Sequence, residues 1–374
     1  MKIKSNVCFD DVLLTPQYSE VQSRRDIDTS TQLPNSKYIP TTPIISSPMD
    51  TITESAMAIK MLKLGGLGII HRYNTIEEQR SLVSEVSEAL LNESHDSITG
   101  IAAAVGVSGD YVERAQALYS AGARILCVDI AHGHHTLMKS ALSKLRSLFG
   151  SRVHLMAGNV ATLQGFNDLS DWGADSIRVG IGGGSICSTR VQTGHGMPTL
   201  QSILECSMSD RDAIMIADGG LRTSGDIVKA LAAGADMVML GSLFSGTSET
   251  PGEVLCDAAS DYSYVATTSS DGLVGYSLSD PAPEKLYKRY RGMASKEAQV
   301  EWRGYQSSDE GVATTVPYKG PVDAVVSSLV KGIRSGLSYS GAFSISELQS
   351  KAVFTKQTFS GVSESSTHIL NLKH

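Results

Sequence analysis

The sequence predicts an α/β protein with the TIM (β/α)8 barrel fold and an active-site flap inserted after strand eight. Eight short apolar runs alternate with segments that carry apolar residues at helical spacing, and polar or glycine residues end each run. Eight parallel strands covered by helices close into a barrel, whose active site lies at the carboxyl ends of the strands. An open, doubly wound sheet is the alternative, but no G-x-G-x-x-G follows the first run.

The predicted strands are short and almost wholly apolar, as expected for strands that are covered on both faces. The helical segments between them, such as DYVERAQALYSAG, frequently end in glycine, the residue preferred just after a helix. The eight strands are predicted at residues 42–47, 66–71, 100–106, 125–131, 153–159, 176–182, 213–220 and 236–242.

The regular alternation ends after the eighth strand. Residues 252–320 contain a strand-like run, YSYVATTSSDGLVGYS, and a polar stretch, RGMASKEAQVEWRGYQSSDEG, with little apolar periodicity. A long insertion at the active-site face predicts a flap. A final helix, PVDAVVSSLVKGIRSGL, follows, and the last residues, SGVSESSTHILNLKH, are predicted to form an extended tail. Residues 1–374 are thus predicted to form a single catalytic domain.

The composition argues against several classes of function. A formal net charge of −7 with scattered Lys and Arg residues disfavours nucleic-acid binding, and no apolar run approaches the roughly 20 residues that span a membrane. The five cysteines form an odd set without Cys-x-x-Cys spacing, which disfavours a disulfide framework or a structural zinc site. These features predict a cytoplasmic protein with reduced thiols.

The segment RVGIGGGSICSTR, residues 178–190, contains three consecutive glycines, Gly182 to Gly184. Cys187 follows them closely, with only Ser185 and Ile186 between. Glycines let the backbone turn tightly and let a ligand or ion approach its amides and carbonyls. The amides of such a turn and a following helix start favour a nucleophilic thiolate, and Thr189 can direct a hydroxyl to the same place. Cys187 is therefore the predicted nucleophile, with an inert loop cysteine as the alternative. Cys127, within ILCVDI, is predicted to be a small buried hydrophobe.

Two further loops predict a phosphorylated ligand. ADGGLRTSGD and LGSLFSG place glycine amides at the ends of strands seven and eight, where TIM barrels commonly bind phosphate. Simple tight turns are the alternative for either loop. The motif AHGHH at 131–135 offers three imidazoles, but their spacing and the lack of a completing Cys or Glu disfavour zinc and favour a loop-capping role.

Taken together, the motifs of this chain resemble those of one family. CFDDVLLTPQYS, SSPMDTITE, GGLGIIHR, DIAHGH, AGNVAT, RVGIGGGSICSTR, IADGGLRTSGD, MLGSLFSGT, YRGMAS and VPYKGPV follow one another as in the IMP dehydrogenase/GMP reductase family. The resemblance implies a purine-nucleotide oxidoreductase in which Cys187 attacks C2 of the nucleotide and forms a thioimidate. It also implies NADPH or NAD as the cofactor and a homotetramer. The segment between strands two and three holds only a helix and a loop, so the regulatory domain that dehydrogenases often insert there is expected to be absent.

The resemblance implies roles for the residues that match the family's motifs. Asp218 would accept both ribose hydroxyls of the nucleotide, and the backbone carbonyls of Gly182, Gly184 and Cys187 would hold a monovalent cation, K⁺, as in dehydrogenases. The remaining nucleotide contacts would come from Ser185, Gly220, Gly241, Ser242, Tyr290, Gly292 and Met293. The cofactor side of the site would be formed by Asp129, Asn159, Arg178 and Gly180.

The two activities of the family diverge after the thioimidate. A dehydrogenase passes hydride from IMP to NAD⁺ and activates water to release XMP, whereas a reductase expels ammonia from GMP and accepts hydride from NADPH to give IMP. Reductases relay a proton through a threonine and a glutamate, which would be Thr189 and Glu310 here. These two residues would act with Cys187 as the catalytic set. Glu310 does not discriminate, because bacterial dehydrogenases also have glutamate there.

The flap favours GMP reductase. Dehydrogenases carry an adjacent Arg-Tyr pair on a long flap, but the segment 293–310 is short, and Gly304 separates Arg303 from Tyr305. IMP dehydrogenase is the alternative, because SPMDTITE, YRGMAS and the tail SGVSESSTH look more like dehydrogenases. A non-catalytic nucleotide sensor would keep its function after Cys187→Ser, and a flavin-dependent barrel enzyme would carry a yellow chromophore.

Overall fold

Eight parallel strands form a closed barrel, which confirms the predicted TIM-barrel fold. The computed structural model describes residue 3 and residues 5–91, 99–257, 264–268, 274–278, 285–306 and 310–365; for 257, 264–268 and 274–278 it describes the backbone alone. Each barrel strand pairs with the next, and the last pairs with the first. The barrel strands are β2 (Ile44–Ser46), β3 (Leu67–Ile70), β4 (Ala102–Val105), β5 (Ile125–Asp129), β6 (His154–Val160), β7 (Ser176–Val179), β8 (Ile214–Asp218) and β9 (Met237–Leu240).

Several barrel helices begin at a threonine that caps them. Thr75, Thr162 and Thr223 each accept a hydrogen bond from the amide three residues further on, which satisfies an otherwise unpaired donor. Two helices, not the single one predicted, separate β7 from β8, because Gly194 ends the first of them at φ +70°. The described helices are α1 (Ser55–Lys63), α2 (Ile76–Leu90), α3 (Tyr111–Ala121), α4 (Thr136–Phe149), α5 (Leu163–Asp171), α6 (Thr189–Thr193), α7 (Thr199–Cys206), α8 (Ser224–Ala232), α9 (Lys296–Arg303), α10 (Val322–Tyr339), α11 (Ile345–Lys351) and α12 (Phe359–Glu364).

The barrel supplies the core of the protein. Every residue of β2, β3, β4, β7 and β9 is buried, as expected for strands that are covered on both faces. Full burial of one large aliphatic side chain contributes about 1.5–3 kcal/mol of hydrophobic free energy. The barrel is therefore a rigid base for the loops that follow its strands.

The insertion after β9 builds a small antiparallel sheet. Its order is β10 (Leu255–Asp257), β13 (Lys285–Arg291) and β14 (Ala313–Pro317), with β13 in the middle. A separate hairpin of β11 (Tyr264–Thr268) and β12 (Val274–Leu278) matches the strand-like run that the sequence shows there. The polar stretch that follows β13 contains helix α9, which the sequence analysis did not predict.

Two lysines connect this sheet to the loop after β9 by hydrogen bonds. The ammonium group of Lys288, on β13, is buried and donates to the backbone carbonyls of Thr247 and Thr250. Lys319 donates to the carbonyls of Ser242 and Leu243 at 3.1 and 3.3 Å. Burial lowers the pKa of both lysines. These contacts fix the strand that carries Tyr290 relative to the loop that carries Ser242.

Two short strands, one near each end of the described chain, pair in a sheet separate from the barrel. Strand β1 (Val12–Leu14) pairs antiparallel with β15 (Phe354–Lys356). The predicted extended tail is wrong in its first part, because residues 359–364 form α12, whose N-cap Thr358 accepts from the amide of Gly361. The rest of that tail, from 366 onward, lies outside the described residues. Among the described helices, none combines the length and apolarity needed to cross a membrane.

Replacing Asp236 by asparagine is expected to remove a pH-dependent loss of stability. Burial raises the pKa of Asp236 from its usual 3.8 to about 6, although its carboxylate accepts a hydrogen bond from the amide of Met215. The folded protein thus holds this proton more tightly than the unfolded chain. Protonation of Asp236 therefore stabilises the folded protein. This stabilisation is complete below about pH 4 and is lost as the pH rises through 6, and the free energy of unfolding changes by up to about 3 kcal/mol.

Urea unfolding at pH 4, 5, 6 and 7 measures the effect as the difference between the Asp236→Asn variant and the parent protein. The variant should gain free energy of unfolding relative to the parent between pH 4 and 6. The exposed Asp212, changed to asparagine, is the control and should show a flat difference. Parallel pH curves for Asp236→Asn and the parent protein would contradict the expectation.

Candidate active site

The residues predicted from sequence line one cavity of about 300 Å³ at the carboxyl ends of the barrel strands. The ends of β5 and β6, the loops after β7, β8 and β9, and the flap, through the end of β13 and Glu310, bring them together. Their roles remain predictions, but their convergence is a property of the fold. The predicted residues in this cavity are Asp129, Asn159, Arg178, Gly180, Gly182, Gly184, Ser185, Cys187, Thr189, Asp218, Gly220, Gly241, Ser242, Tyr290, Gly292, Met293 and Glu310.

The glycines after β7 are required by a close approach of two loops. Gly180 has φ +147°, and a Cβ there would collide with the carbonyl oxygen of Asp218. A Cβ on Gly183 would collide with the hydroxyl of Thr199. The loop that leads to Cys187 can therefore pack against the β8 turn only without side chains at these positions.

Cys187 lies next to a chain of two polar groups. Its Sγ is 3.2 Å from the Oγ1 of Thr189, and that hydroxyl donates to Oε2 of Glu310 at 2.8 Å. The Cys187 side chain is partly exposed to the cavity, whereas Cys127 is fully buried, as predicted, and burial raises the pKa of Cys127 to about 11. Cys187 is thus an accessible thiol beside a hydroxyl and a carboxylate, whereas Cys127 is a buried and inert thiol.

The backbone holds this relay together as well. The amide of Ser188 donates to the carbonyl of Glu310 at 3.0 Å, and the amide of Val312 donates to the carbonyl of Ile186 at 3.0 Å. Cys187 and Gly311 form an antiparallel bridge between these two bonds. The flap segment around Glu310 is thereby paired with the loop that carries the thiol.

A buried ion network lies under the cavity. Arg178 donates to Oδ2 of Asp218 at 2.9 Å and to Oδ1 of Asp129 at 2.7 Å. Asn159 adds a hydrogen bond to the same Asp218 oxygen at 2.8 Å. Burial alone would raise the pKa of Asp129, but the guanidinium groups of Arg178 and Arg72 outweigh it and hold that pKa below its usual value. The guanidinium of Arg178 therefore holds both carboxylates in place.

The opposite wall presents hydroxyl groups. The Ser185 Oγ and Tyr290 Oη lie 3.2 Å apart, and burial raises the pKa of Tyr290. Ser47 follows β2 and has a buried Oγ without a partner among the described atoms; it lines the same cavity beside Gly241. Sequence reasoning noted Ser47 only as a polar residue at a strand end and gave it no role. An unpaired buried hydroxyl at a cavity wall makes Ser47 a candidate ligand contact.

A second cavity of about 970 Å³ adjoins the first, and Asp129 and Ile130 line both. We call it the adjoining cavity. Tyr73, after β3, and Trp302, at the end of α9, line this cavity and stack against each other, with ring centroids 4.2 Å apart and an interplanar angle of 12°. Arg303, also at the end of α9, lies on the Trp302 ring at 4.3 Å. Sequence reasoning missed Tyr73 and Trp302, although HRYN follows a predicted strand end.

The predicted capping role of the AHGHH motif is confirmed. His135 is the N-cap of α4 and accepts from the amide of Leu137, while His134 pairs with Asp168 at 2.7 Å. Within the described ranges, no cluster of three His, Cys, Asp or Glu side chains is arranged to hold a metal ion. The implied monovalent cation needs backbone carbonyls instead. The carbonyl of Gly184 accepts from the amide of Cys187 at 3.2 Å and keeps a second lone pair that an ion can use.

Comparisons with known proteins identify the family of this chain. The family model described as the IMP dehydrogenase / GMP reductase domain matches residues 6–368. Inosine-5'-monophosphate dehydrogenase of Cryptosporidium parvum is 35% identical over 413 residues, with 98% of this chain and 96% of that protein covered. GMP reductase of Leishmania major is 30% identical over 501 residues, with 98% and 97% covered.

A solved structure has the same fold over its whole length. It is a cysteine-to-alanine variant of GMP reductase from Trypanosoma brucei in complex with guanosine 5'-monophosphate. The TM-score is 0.83 at 30% sequence identity, and 98% of each chain is covered. The chain therefore belongs to the IMP dehydrogenase/GMP reductase family of oxidoreductases.

Proposed function

We propose that the protein is a GMP reductase, converting GMP and NADPH to IMP, ammonia and NADP⁺. The observation that carries the proposal is the position of Gly304, which separates Arg303 from Tyr305 in the flap. Beside the thiol of Cys187, the hydroxyl of Thr189 and the carboxylate of Glu310 form a relay with spacings of 3.2 and 2.8 Å. Such a relay suits delivery of a proton to a departing amine. The relative from Trypanosoma brucei, which shares the fold, is a GMP reductase solved with guanosine 5'-monophosphate.

In this reaction the Cys187 thiolate forms a bond to C2 of GMP. The C2–N bond to the exocyclic amine then breaks, and the amine leaves as ammonia after taking a proton from Glu310 through Thr189. This leaves a thioimidate between Cys187 and the purine. The nicotinamide cofactor supplies the hydride that C2 requires, and breaking of the S–C2 bond then releases IMP. In the reductase, the enclosing flap must keep water from the thioimidate.

The buried network suits the nucleotide end of this site. Asp218 uses Oδ2 for its hydrogen bonds to Arg178 and Asn159, so its other oxygen is available for ribose hydroxyls. Ser47, Ser185 and Tyr290 offer hydroxyls to the rest of the nucleotide. The nicotinamide ring would lie beside Asp129, which borders both cavities, and the remainder of the cofactor fits the adjoining cavity.

The flap is the feature that favours the reductase over the dehydrogenase. Gly304 ends α9 in a left-handed conformation, φ +76°, which turns Tyr305 away from the helix. Arg303 and Tyr305 line the adjoining cavity, while the cavity of Cys187 is lined by Glu310 from the same flap. An arginine held on Trp302 is not placed to activate water beside the thiol. IMP dehydrogenase is the second candidate, supported by relatives such as the one from Cryptosporidium parvum.

Two assays of the purified protein separate these activities. GMP with NADPH should cause GMP-dependent loss of absorbance at the nicotinamide band, with ammonia released in equal amount. IMP with NAD⁺ and potassium should give no XMP. Production of XMP at a comparable rate, without GMP-dependent oxidation of NADPH, would overturn the proposal in favour of the dehydrogenase.

Glu310→Gln is expected to lower kcat for GMP reduction by about 10²- to 10⁴-fold, because glutamine keeps the hydrogen bond to Thr189 but cannot deliver a proton. The KM for GMP should change little. The pH profile of kcat should also change: the limb that reports a required acid in the parent protein should be absent from the variant. The matched control is Glu297→Gln, an exposed carboxylate on α9 of the same flap. A Glu310→Gln variant as active as this control would refute the relay.

We further propose that residues 1–374 form one catalytic domain, that it acts in the cytoplasm as a homotetramer, and that K⁺ binds the carbonyls of Gly182, Gly184 and Cys187. Mass photometry tests the tetramer, and the dependence of rate on K⁺ against Li⁺ tests the cation. Between β3 and β4, α2 is the only regular helix or strand among the described residues.

A further inference from the structure

Four arginines line the adjoining cavity, and three of them are neutralised by carboxylates. Because these pairs cancel locally, they leave little net field for an anionic ligand. Glu78 also lines this cavity, but its carboxylate accepts a hydrogen bond from the amide of Thr75 at the start of α2. The three pairs are Arg72 with Asp129 at 3.4 Å, Arg114 with Asp110 at 2.8 Å, and Arg291 with Asp50 at 2.6 Å and Glu301 at 2.5 Å.

Arg303 is the fourth arginine, and it differs from the others. Within the described part of the chain it has neither a hydrogen bond nor an ion pair, and its side chain is exposed at the cavity wall. Its guanidinium lies on the Trp302 ring, and the Trp302 ring stacks on Tyr73. The three side chains therefore form three layers. Stacking orients the guanidinium plane, so the N–H groups at its edge are available to an oxyanion in a fixed direction.

We infer that Arg303 binds the 2′-phosphate of the cofactor's adenosine and thereby selects NADPH over NADH. A phosphate with two oxygens along the guanidinium edge would form the paired, charge-assisted hydrogen bonds that arginine favours. The adjoining cavity shares Asp129 and Ile130 with the Cys187 cavity, so the two lie side by side, as a dinucleotide that reaches C2 requires.

The inference rests on the proposed function only in requiring a nicotinamide cofactor. It predicts a binding property that does not depend on whether GMP or IMP is the substrate. Adenosine 2′,5′-bisphosphate carries the phosphate in question, and adenosine 5′-monophosphate lacks it. Binding of these two compounds therefore tests Arg303 without turnover, provided that saturating GMP occupies the nucleotide cavity.

Isothermal titration of the full-length protein should show tighter binding of adenosine 2′,5′-bisphosphate than of adenosine 5′-monophosphate. Arg303→Gln should raise the Kd of the bisphosphate about 10- to 100-fold and leave the Kd of the monophosphate unchanged. Arg303→Lys should restore only part of the affinity, because lysine is a point charge without a planar edge. Arg80→Gln, which removes an exposed arginine of α2 outside the cavity, is the matched control.

A second readout locates the ligand. The chain has two tryptophans, Trp172 and Trp302, so Trp172→Phe leaves Trp302 as the sole indole reporter. The bisphosphate should change the fluorescence of this variant. No change, or equal weakening of both adenosine ligands by Arg303→Gln, would overturn the inference, since equal weakening indicates contact with the 5′-phosphate.

The two proposals fail in distinguishable ways. If the bisphosphate binds through Arg303 but GMP does not support oxidation of NADPH, the GMP reductase proposal fails and the role of Arg303 stands. If GMP supports NADPH oxidation and Arg303→Gln leaves both Kd values unchanged, the role of Arg303 fails alone. In steady-state assays, Arg303→Gln should lower kcat/KM for NADPH while leaving kcat/KM for NADH unchanged.

Discussion

Replacing Cys187 by alanine is expected to lower the rate of nucleotide turnover by about 10⁵-fold, because the reaction then lacks its nucleophile. The thiol is partly exposed in the cavity, and its neighbours Thr189 and Glu310 are correctly spaced to act on a group bound to it. Binding of GMP should persist, since most of the cavity wall is unchanged. Titration of GMP against the inactive variant checks this.

The covalent step itself can be observed. Acid quenching during turnover, followed by intact-protein mass spectrometry, should show a nucleotide adduct on the parent protein and none on Cys187→Ala. Cys8→Ala is the matched control, because Cys8 is an exposed cysteine outside the cavity. A Cys187→Ala variant that turns over normally, or an adduct that persists in it, would refute covalent catalysis by this residue.

Arg178→Met is expected to lower the free energy of unfolding by about 3–5 kcal/mol. Methionine fills similar volume but leaves Asp129 and Asp218 without the guanidinium that both contact at 2.7 and 2.9 Å. Two largely buried carboxylates then keep only Arg72 beside Asp129 and the Asn159 amide beside Asp218 as partners, and proton uptake or water entry must relieve the charge that Arg178 neutralised. Nucleotide affinity should fall as well, because Asp218 loses the group that orients it.

Urea denaturation at neutral pH measures this loss. Arg211→Met serves as the control, since Arg211 pairs with the carboxylates of Asp171 and Asp210 at the surface, where water screens the charges. The control should change stability far less. Adding Asp129→Asn to Arg178→Met should recover part of the lost stability, because it removes one of the stranded charges. Equal effects of Arg178→Met and Arg211→Met would contradict the argument.

The sequence was sufficient to predict the barrel and the first cavity. Apolar runs of a parallel sheet end at one face of a barrel, so the polar residues after each run had to meet. Asp129, Asn159 and Asp218 come from three such strand ends, and the fold brings them together. Gly180 and Gly183 were visible as a glycine cluster, and the structure adds the reason: Gly180 lies against the carbonyl of Asp218 at the end of β8, and Gly183 lies against Thr199 on α7.

The adjoining cavity was not predictable by the same reasoning. Tyr73 and Trp302 lie far apart in the sequence, and their stack depends on where α9 packs after β13. Helix α9 itself was missed because its sequence, KEAQVEWR, is too short and polar to show helical periodicity, and its stability comes partly from the N-cap Ser295. Helix α12 was missed for the same reason.

The backbone pairing of the Glu310 segment with the Cys187 loop has a consequence for how this enzyme can diversify. Because main-chain bonds from Ser188 to Glu310 and from Val312 to Ile186 set that junction, side-chain drift does not readily alter it. Changes of sequence elsewhere in the flap would leave this junction in place. Other flap sequences can therefore be grafted onto the chain while the acid and the thiol keep their spacing.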